Sequence, residues 1–368
     1  MRVALVTEFY YPHLGGVTEH VHHLGLELRR RGHEVTIITS NMKGQRKDPP
    51  FVRRIGTSRV IYSNGSFARI TTGWLLPSLV EAALRDIRPE VVHVQEGLAP
   101  VLGPLAVGAA QRLHVPSVAT FHSWFPRSLG CRVFRRPLQR RLDRLAATIA
   151  VSEPVVQALS RYFTAHWEVI PNGIDVDLFH PNGRHPAEPS ELAPRLLFLG
   201  RLDPRNGLGT ILAAMPRILA RYPTTELVVA GDGPLRGWYE WSARPLGRAV
   251  RFIGRVNGER PDTYGAADLY LCPTTKASFG ITLLEAMACG VPQVVSDITG
   301  FRELIGGGAE AVLVPHDDPT AWADATVDLL ADPRRRAAMG RAGRAKSARY
   351  AWPRVADRIE AIYDRVQR

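Results

Sequence analysis

The sequence predicts an α/β protein of two consecutive domains, each a doubly wound, mostly parallel sheet, and three observations carry that expectation. Short continuous apolar runs recur along the 368 residues, in the pattern of strands buried on both faces. Helical stretches separate several of these runs, and parallel neighbours need such crossovers. Near Ile170 the texture breaks into a stretch rich in Pro, Glu and His, through Pro194, after which the strand–helix series starts again.

The first strand is Val3-Ala4-Leu5-Val6. Glu8-Phe-Tyr-Tyr-Pro-His-Leu-Gly-Gly-Val17 follows, leading into a helix with Val17, Val21, Leu24 and Leu28 on one face and Gly32 at its close. Further strands are expected at residues 35–38, 60–62, 91–94, 117–120 and 148–151. Ligands of such sheets sit at the carboxyl ends of strands, which gathers Gly15-Gly16, Asn64-Gly65-Ser66, Gln95-Glu96 and His122 around one site. Gly15-Gly16 lacks the spaced third glycine of a dinucleotide fingerprint, and reads either as close backbone approach to a ligand phosphate or as a tight turn. His20, His22 and His23 read as polar helix positions, since no cysteine or carboxylate set converges with them. Asp175-Val-Asp177 matches a short acid-x-acid metal pattern but lies in the linker, and reads as loop chemistry.

The second series begins at Leu196-Leu-Phe-Leu-Gly-Arg201. It continues with a strand before Gly231-Asp-Gly-Pro234, another before Gly254-Arg-Val256, and a strand at residues 269–272. Residues 275–297 then read as loop, helix, turn and strand. Gly280 opens the helix, Leu283, Leu284 and Met287 form its apolar stripe, and Gly290 closes it. A glycine at a helix start lets an anion reach free N–H groups where the dipole favours it. Glu285 lies about one turn in, suited to ribose hydroxyls beside a phosphate; the alternative is an ordinary buried helix with a solvated Glu. Arg201, just past a strand end, reads as a bidentate phosphate partner or as one surface arginine among many.

Composition is that of a soluble globular protein, 45% hydrophobic and 22% charged. Cys131, Cys272 and Cys289 are too few and scattered for a disulfide framework or a zinc site, and with no signal peptide before the first strand a cytoplasmic setting is expected. The nearly uncharged run 97–110 holds two prolines and is too short to span a bilayer. The net charge of +12 reads either as the mark of an anionic partner or as an arginine-rich, alanine-rich composition on solvated helices. Arg127, Arg132, Arg135, Arg136, Arg140, Arg141 and Arg144 interleave with Trp124, Phe125, Leu129, Val133, Phe134 and Leu138, as on a basic amphipathic surface that lies on an anionic membrane. A second cluster, from Arg334 to Arg349, is expected to be solvated. Neither brings a base-stacking platform or recognition motif, so nucleic acid is not an expected partner.

Six motifs carry a family resemblance: Glu8-Phe-Tyr-Tyr-Pro-x-x-Gly-Gly-Val, Ala119-Thr-Phe-His122, Ile170-Pro-Asn-Gly-Ile-Asp, Gly200-Arg-Leu-Asp-Pro-Arg, Gly231-Asp-Gly-Pro, and Phe279-Gly-Ile-Thr-Leu-Leu-Glu-Ala-Met-Ala-Cys-Gly. From Met1 to about Val366 the chain resembles the retaining glycosyltransferases of family 4, whose GT-B fold sets two Rossmann-like domains face to face across a cleft. Tyr62-Ser-Asn-Gly-Ser-Phe-Ala-Arg69 and Arg349-Tyr-Ala-Trp352 are similar to phosphatidylinositol mannosyltransferases, and the chain's start also resembles the sugar transferases of sulfolipid and GPI-anchor synthesis. The resemblance implies an acceptor domain at residues 1–170, a linker at 171–194, a nucleotide-sugar domain at 195–350, and a last helix at 351–368 crossing back to the first domain.

It also implies roles. A GDP- or UDP-linked hexose would place its base near Arg255 and Val256 and its ribose on Glu285. Its diphosphate would meet Arg201, the Phe279-Gly280 turn, the N–H groups of Ile281 and Thr282, and Gly16. His122 and Arg201 would serve the transfer, while Thr18, Asn64, Ser66, Arg69 and Ser123 would face a lipid-linked or inositol-type acceptor. No metal or other cofactor is implied, and the reaction would run at the cytoplasmic face of the membrane. Two positions depart from the family pattern: Ala277 stands where the first glutamate of a spaced pair is usual, and Asn206 where a lysine follows Pro-Arg. Two readings follow, an active hexosyltransferase and a nucleotide-binding protein whose transfer step is impaired. Phosphorolysis on the same fold is a variant of the first.

Overall fold

A computed structural model describes the chain apart from residues 14, 43–47, 64–65, 99–100, 182–192 and 257 and the side chains of residues 61–68. It divides into two compact units, Met1–Gly173 with Trp352–Arg368, and Ile174–Ala351.

The first unit is built on an eight-stranded sheet of β1 (Arg2–Val6), β2 (Glu34–Asn41), β3 (Val52–Ser63), β4 (Ser66–Thr72), β5 (Val91–Gln95), β6 (Ser117–Phe121), β7 (Ala147–Ala150) and β8 (Trp167–Val169). Their order is β4-β3-β2-β1-β5-β6-β7-β8, parallel except for the β3–β4 hairpin. The apolar runs of β1 and β5 sit at the centre, and the order reverses between them, where doubly wound sheets open for ligands. The sequence reading missed β4 and β8 and saw only the end of β3. The hairpin carries Arg53, Arg54, Thr57, Ser58 and Arg59, so it lacks the apolar run that marks a central strand. The helix Trp352–Gln367 belongs to this unit: Val355, Ile359, Ile362 and Tyr363 share a core with Val3, Leu5, Val21 and Ile37. Trp352 lies so close to Gly173 that a Cβ there would come within 2.5 Å of the indole.

The second unit has a wholly parallel sheet of β9 (Arg195–Leu199), β10 (Glu226–Ala230), β11 (Val250–Gly254), β12 (Leu269–Cys272), β13 (Gln293–Ser296) and β14 (Ala311–Val314), in the order β11-β10-β9-β12-β13-β14. Alternate strand residues feed two cores. Leu196, Phe198, Leu227, Val229, Leu271 and Val294 face one, and Leu197, Val228, Ala230, Tyr270, Cys272 and Val295 the other. The order reverses between β9 and β12, which sets Gly200-Arg201 and the loop after Cys272 at the switch point.

Two expectations need correction. Residues 174–181, read as linker, are packed structure: Ile174 and Phe179 are core residues of the second unit, and Asp175 accepts from the backbone of Asp177 and Leu178 in a tight turn. The basic segment expected to be solvated is partly internal. Arg336 is 1% exposed and donates to Leu329 and Leu330, Arg344 donates to the carbonyls of Val176, Phe179 and Ala288, and Lys346 donates to Ile305. Helix ends and turns leave carbonyls without backbone donors, and these long cationic side chains satisfy them.

Candidate active site

In the second unit, four loops at the carboxyl edge of the sheet are knitted by backbone hydrogen bonds. Gly200 donates to Ala230, Leu202 to Asp232, Gly231 to Gly254, and Thr275 to Arg205 at 2.8 Å. The fit is tightest at Gly231, held at φ 147°, where a Cβ would fall 1.9 Å from the Gly200 carbonyl oxygen. On this base stand Arg201, its side chain 43% exposed and its guanidinium 3.7 Å from Asp203, and Arg255, 3.2 Å from Asp232. Val256 and Phe279 are half-buried against the core, with the Phe279 ring 6.1 Å from that of Tyr350.

Gly280 is the N-cap of the helix Ile281–Ala288 and, having no side chain, does not cap its first N–H groups. The first turn carries no acidic residue, so the amides of Ile281 and Thr282 open the positive end of the helix. Glu285, one turn on, is 1% exposed. Arg260 donates to its Oε1 at 2.8 Å and Tyr264 to its Oε2 at 2.9 Å. The sequence reading gave Glu285 either to ribose hydroxyls or to solvent; burial excludes the solvated alternative, and Arg260 and Tyr264 fix the carboxylate in place. Neither Arg260 nor Tyr264 was anticipated, because both sit on the short helix Arg260–Gly265, which carries no motif of its own.

Of the two departures, Asn206 has a structural explanation and Ala277 has none. The Asn206 side chain turns inward, its Nδ2 donating to the Arg201 carbonyl at 2.8 Å, while its backbone N–H is capped by Asp203. It braces the Arg201 loop and, at its length, offers no cation beyond it. Ala277 lies half-buried beside the core, and its carbonyl passes 2.1 Å from where a Cβ on Gly300 would stand. Lys276 next to it is exposed.

In the first unit, helix Gly16–Arg30 opens behind Gly15, again without a side-chain cap, with Gly15 and Gly16 exposed. Thr18 is fully buried, and its hydroxyl has no partner among the described residues. Glu8 is buried at the end of β1. It accepts from the N–H groups of Val101 and Leu102, at 2.9 and 2.6 Å, and from the Thr71 hydroxyl, anchoring the start of helix Leu102–Arg112. Burial raises its carboxyl pKa above the usual value, and these donors oppose the shift.

His122 follows β6 and is 7% exposed. Its Nε2 lies 2.6 Å from Gln95 Oε1. Its backbone N–H donates to Glu96 Oε1 at 2.9 Å, and the exposed Ser123 hydroxyl donates to the same oxygen at 2.8 Å. Glu96 adopts φ 62°, a left-handed conformation costing on the order of 1–3 kcal/mol in a non-glycine residue. The His20 ring meets the His122 ring edge to face at 4.8 Å and Trp352 at 5.4 Å. His93 is fully buried between Tyr363 and Thr120, at 2.6 and 2.7 Å. Burial lowers the pKa of His20 to about 4 and of His93 to about 3, and pushes His122 well below its ordinary value, so all three rings are neutral.

In the first unit Gly16 and Thr18 thus lie in the first turn of the helix after β1, and His122 and Ser123 just past β6; in the second, Arg201, Arg255 and Val256 follow strand ends, Phe279 and Gly280 precede the helix after β12, and Ile281, Thr282 and Glu285 lie in it. Arg69 lies in β4, opposite Val60, with its guanidinium 3.4 Å from the Ser58 hydroxyl. Asn64 lies outside the described residues, as does the Ser66 side chain. His20 was read as a polar helix position and is 1% exposed. The signal was present, since it falls four and eight residues before Leu24 and Leu28 on the inward face. Among the described residues, no three His, Cys, Asp or Glu side chains are grouped to hold a metal ion.

Comparison with known proteins accounts for both units. Residues 14–178 match the glycosyltransferase family 4 model, and residues 193–332 the model for group 1 glycosyl transferases. The phosphatidyl-myo-inositol mannosyltransferase of Mycolicibacterium smegmatis is 34% identical, over 100% of this chain and 94% of that protein. The glycogen synthase of Mycobacterium tuberculosis is 30% identical, over 99% of this chain and 94% of that one. Among solved structures, sucrose-phosphate synthase from Thermosynechococcus elongatus superposes with a TM-score of 0.77 at 23% identity, covering 100% of this chain and 99% of that chain. Anabaena HepE in complex with UDP gives 0.78 at 18% identity, covering 99% and 100%. The fold is therefore GT-B, and the chain belongs to the family 4 glycosyltransferases as an enzyme of the hexosyltransferase type.

Proposed function

We propose that the enzyme moves a hexose, of mannose or glucose type, from a GDP- or UDP-linked donor to a lipid-linked or inositol-type acceptor, with retention of anomeric configuration. The observation that carries the donor assignment is the uncapped start of helix Ile281–Ala288 next to the buried, clamped carboxylate of Glu285. In this reading the diphosphate takes the amides of Ile281 and Thr282 and the Arg201 guanidinium, together with Gly16. The base lies by Arg255 and Val256, and Glu285 receives the ribose. The leaving phosphate accepts the acceptor's proton as the new bond forms on the face it vacates, so the protein's share is electrostatic and no metal is assigned a part. His122 orients the transferred sugar, with Ser123, Thr18, Asn64, Ser66 and Arg69 toward the acceptor.

The acceptor class rests on full-length similarity to phosphatidyl-myo-inositol mannosyltransferases. Membrane contact at the cytoplasmic face rests on the first arginine cluster. Leu129, Val133 and Phe134 are 75, 64 and 58% exposed there, among exposed Arg127, Arg132, Arg136, Arg140 and Arg141. No helix among the described residues is long and apolar enough to cross a membrane, so the reading is peripheral contact.

The test is release of nucleoside diphosphate by purified protein, given GDP- and UDP-hexoses and phosphatidylinositol vesicles. Turnover with one donor class and the lipid acceptor is expected, and none across a broad donor and acceptor panel would overturn the proposal. A second reading, nucleotide binding with transfer impaired, is favoured by one observation: the Asn206 amide is committed to the Arg201 carbonyl. It predicts tight nucleoside-diphosphate binding without turnover.

A further inference from the structure

We propose that Gln95 and Glu96 are positioning residues for the transfer: Gln95 holds the His122 ring with its proton on Nε2, and Glu96 pins the backbone from which that ring projects. The proposal rests on the reading of His122 as the side chain beside the transferred sugar.

The argument begins with strand geometry. β5 and β6 are parallel neighbours with Gln95 opposite Thr120, and the ladder runs one residue further, Glu96 donating to the Thr120 carbonyl at 2.8 Å. In a continuing strand, side chains 95 and 96 would leave on opposite faces of the sheet. The left-handed turn at Glu96, φ 62°, breaks that alternation, and both side chains reach the exit of β6. Gln95 takes the ring of His122, while Glu96 takes its backbone N–H and the Ser123 hydroxyl through one oxygen.

A glycine would hold this turn without strain but would supply no carboxylate. A strained, non-glycine residue whose side chain spends itself on holding a neighbouring loop is the arrangement expected where position matters to function.

The tautomer follows from the partner. A carbonyl oxygen 2.6 Å from Nε2 requires a proton on that nitrogen, which leaves Nδ1 as the acceptor, ready for a sugar hydroxyl. The reversed amide would invert this, placing the proton on Nδ1 and making the ring a donor toward sugar. As the amide lies, Gln95 Oε1 is the contact that sets the ring's protonation, and Gln95 Nε2 has no partner among the described residues.

The experiment uses the full chain labelled with ¹⁵N-histidine. Long-range ¹H–¹⁵N spectra of the wild type, with His122 assigned from the His122→Asn spectrum, are expected to show a neutral ring protonated on Nε2. A proton on Nδ1, or an even mixture, overturns the Gln95 assignment, and this readout needs neither turnover nor a variant of Gln95. Kinetically, Glu96→Ala and Gln95→Leu are expected to lower kcat about 10- to 100-fold with the donor KM little changed. Glu96→Gln, which keeps an acceptor oxygen, should recover most of the rate. Wild-type kcat in both Glu96→Ala and Gln95→Leu, or a loss confined to KM, would sink the positioning role. His122→Ala turning over at the wild-type rate would instead sink the reading of His122 itself, whichever nitrogen carries the proton.

Discussion

At Asn206 a single side chain sets whether the proposed donor site gains a further cation beside Arg201. Its amide braces the Arg201 loop where a lysine would extend a cation. Asn206→Lys is expected to tighten GDP or UDP binding about tenfold, roughly 1.4 kcal/mol, by calorimetry. Ala277→Glu, which restores the first glutamate of the family pair, is expected to act on kcat rather than on nucleotide affinity. The buried histidines predict a pH response. Their folded pKa values lie below the ordinary 6.5, so the unfolded chain binds more protons as pH falls. The stability they supply is complete above about pH 6.5 and is lost progressively toward pH 4, on the order of 3 kcal/mol for His20 alone. Thermal midpoints measured between pH 7 and 4.5 should fall, and His20→Phe should flatten the decline. The motif residues were legible in sequence because each follows a strand-like run. The side chains that hold them were not: Gln95, Glu96, Arg260 and Tyr264 act across strands and turns, and their spacing carries no period.

At the scale of elements, the loops at the carboxyl edge of the second sheet behave as one piece. Gly231→Ala would set a methyl 1.9 Å from the Gly200 carbonyl at a backbone angle L residues avoid. It is expected to lower the unfolding midpoint by several degrees and to weaken nucleotide binding with it, read by calorimetry with and without UDP. Arg344→Met removes a cation bonded to three backbone carbonyls and should cost about 3 kcal/mol in denaturant unfolding. Central strands were readable as apolar runs, since burial on both faces leaves no room for polar alternation. β4 and β8 were not, because a polar edge hairpin and a three-residue strand take their conformation from their neighbours. The arginines of residues 334–349 misled for a related reason: composition reports charge, whereas only packing shows which carbonyls that charge will meet.

Over the whole molecule, charge is divided by role. Part of the excess is internal, on Arg336 and Arg344, and part is displayed among exposed apolar side chains on the first unit. Replacing Arg136, Arg140 and Arg141 together by Ser should weaken binding to anionic vesicles on the order of 100-fold while sparing UDP or GDP affinity, as measured by co-sedimentation. Raised salt should reproduce the effect in the wild type. The helix Trp352–Gln367, whose Tyr363 reaches His93 and whose Trp352 lies on Gly173, adds a constraint of timing. A ribosome makes the second unit's residues before this helix, so the first unit, begun earliest, lacks part of its core until the second is already synthesised. A released chain ending at residue 351 should therefore protect the second unit from protease better than the first.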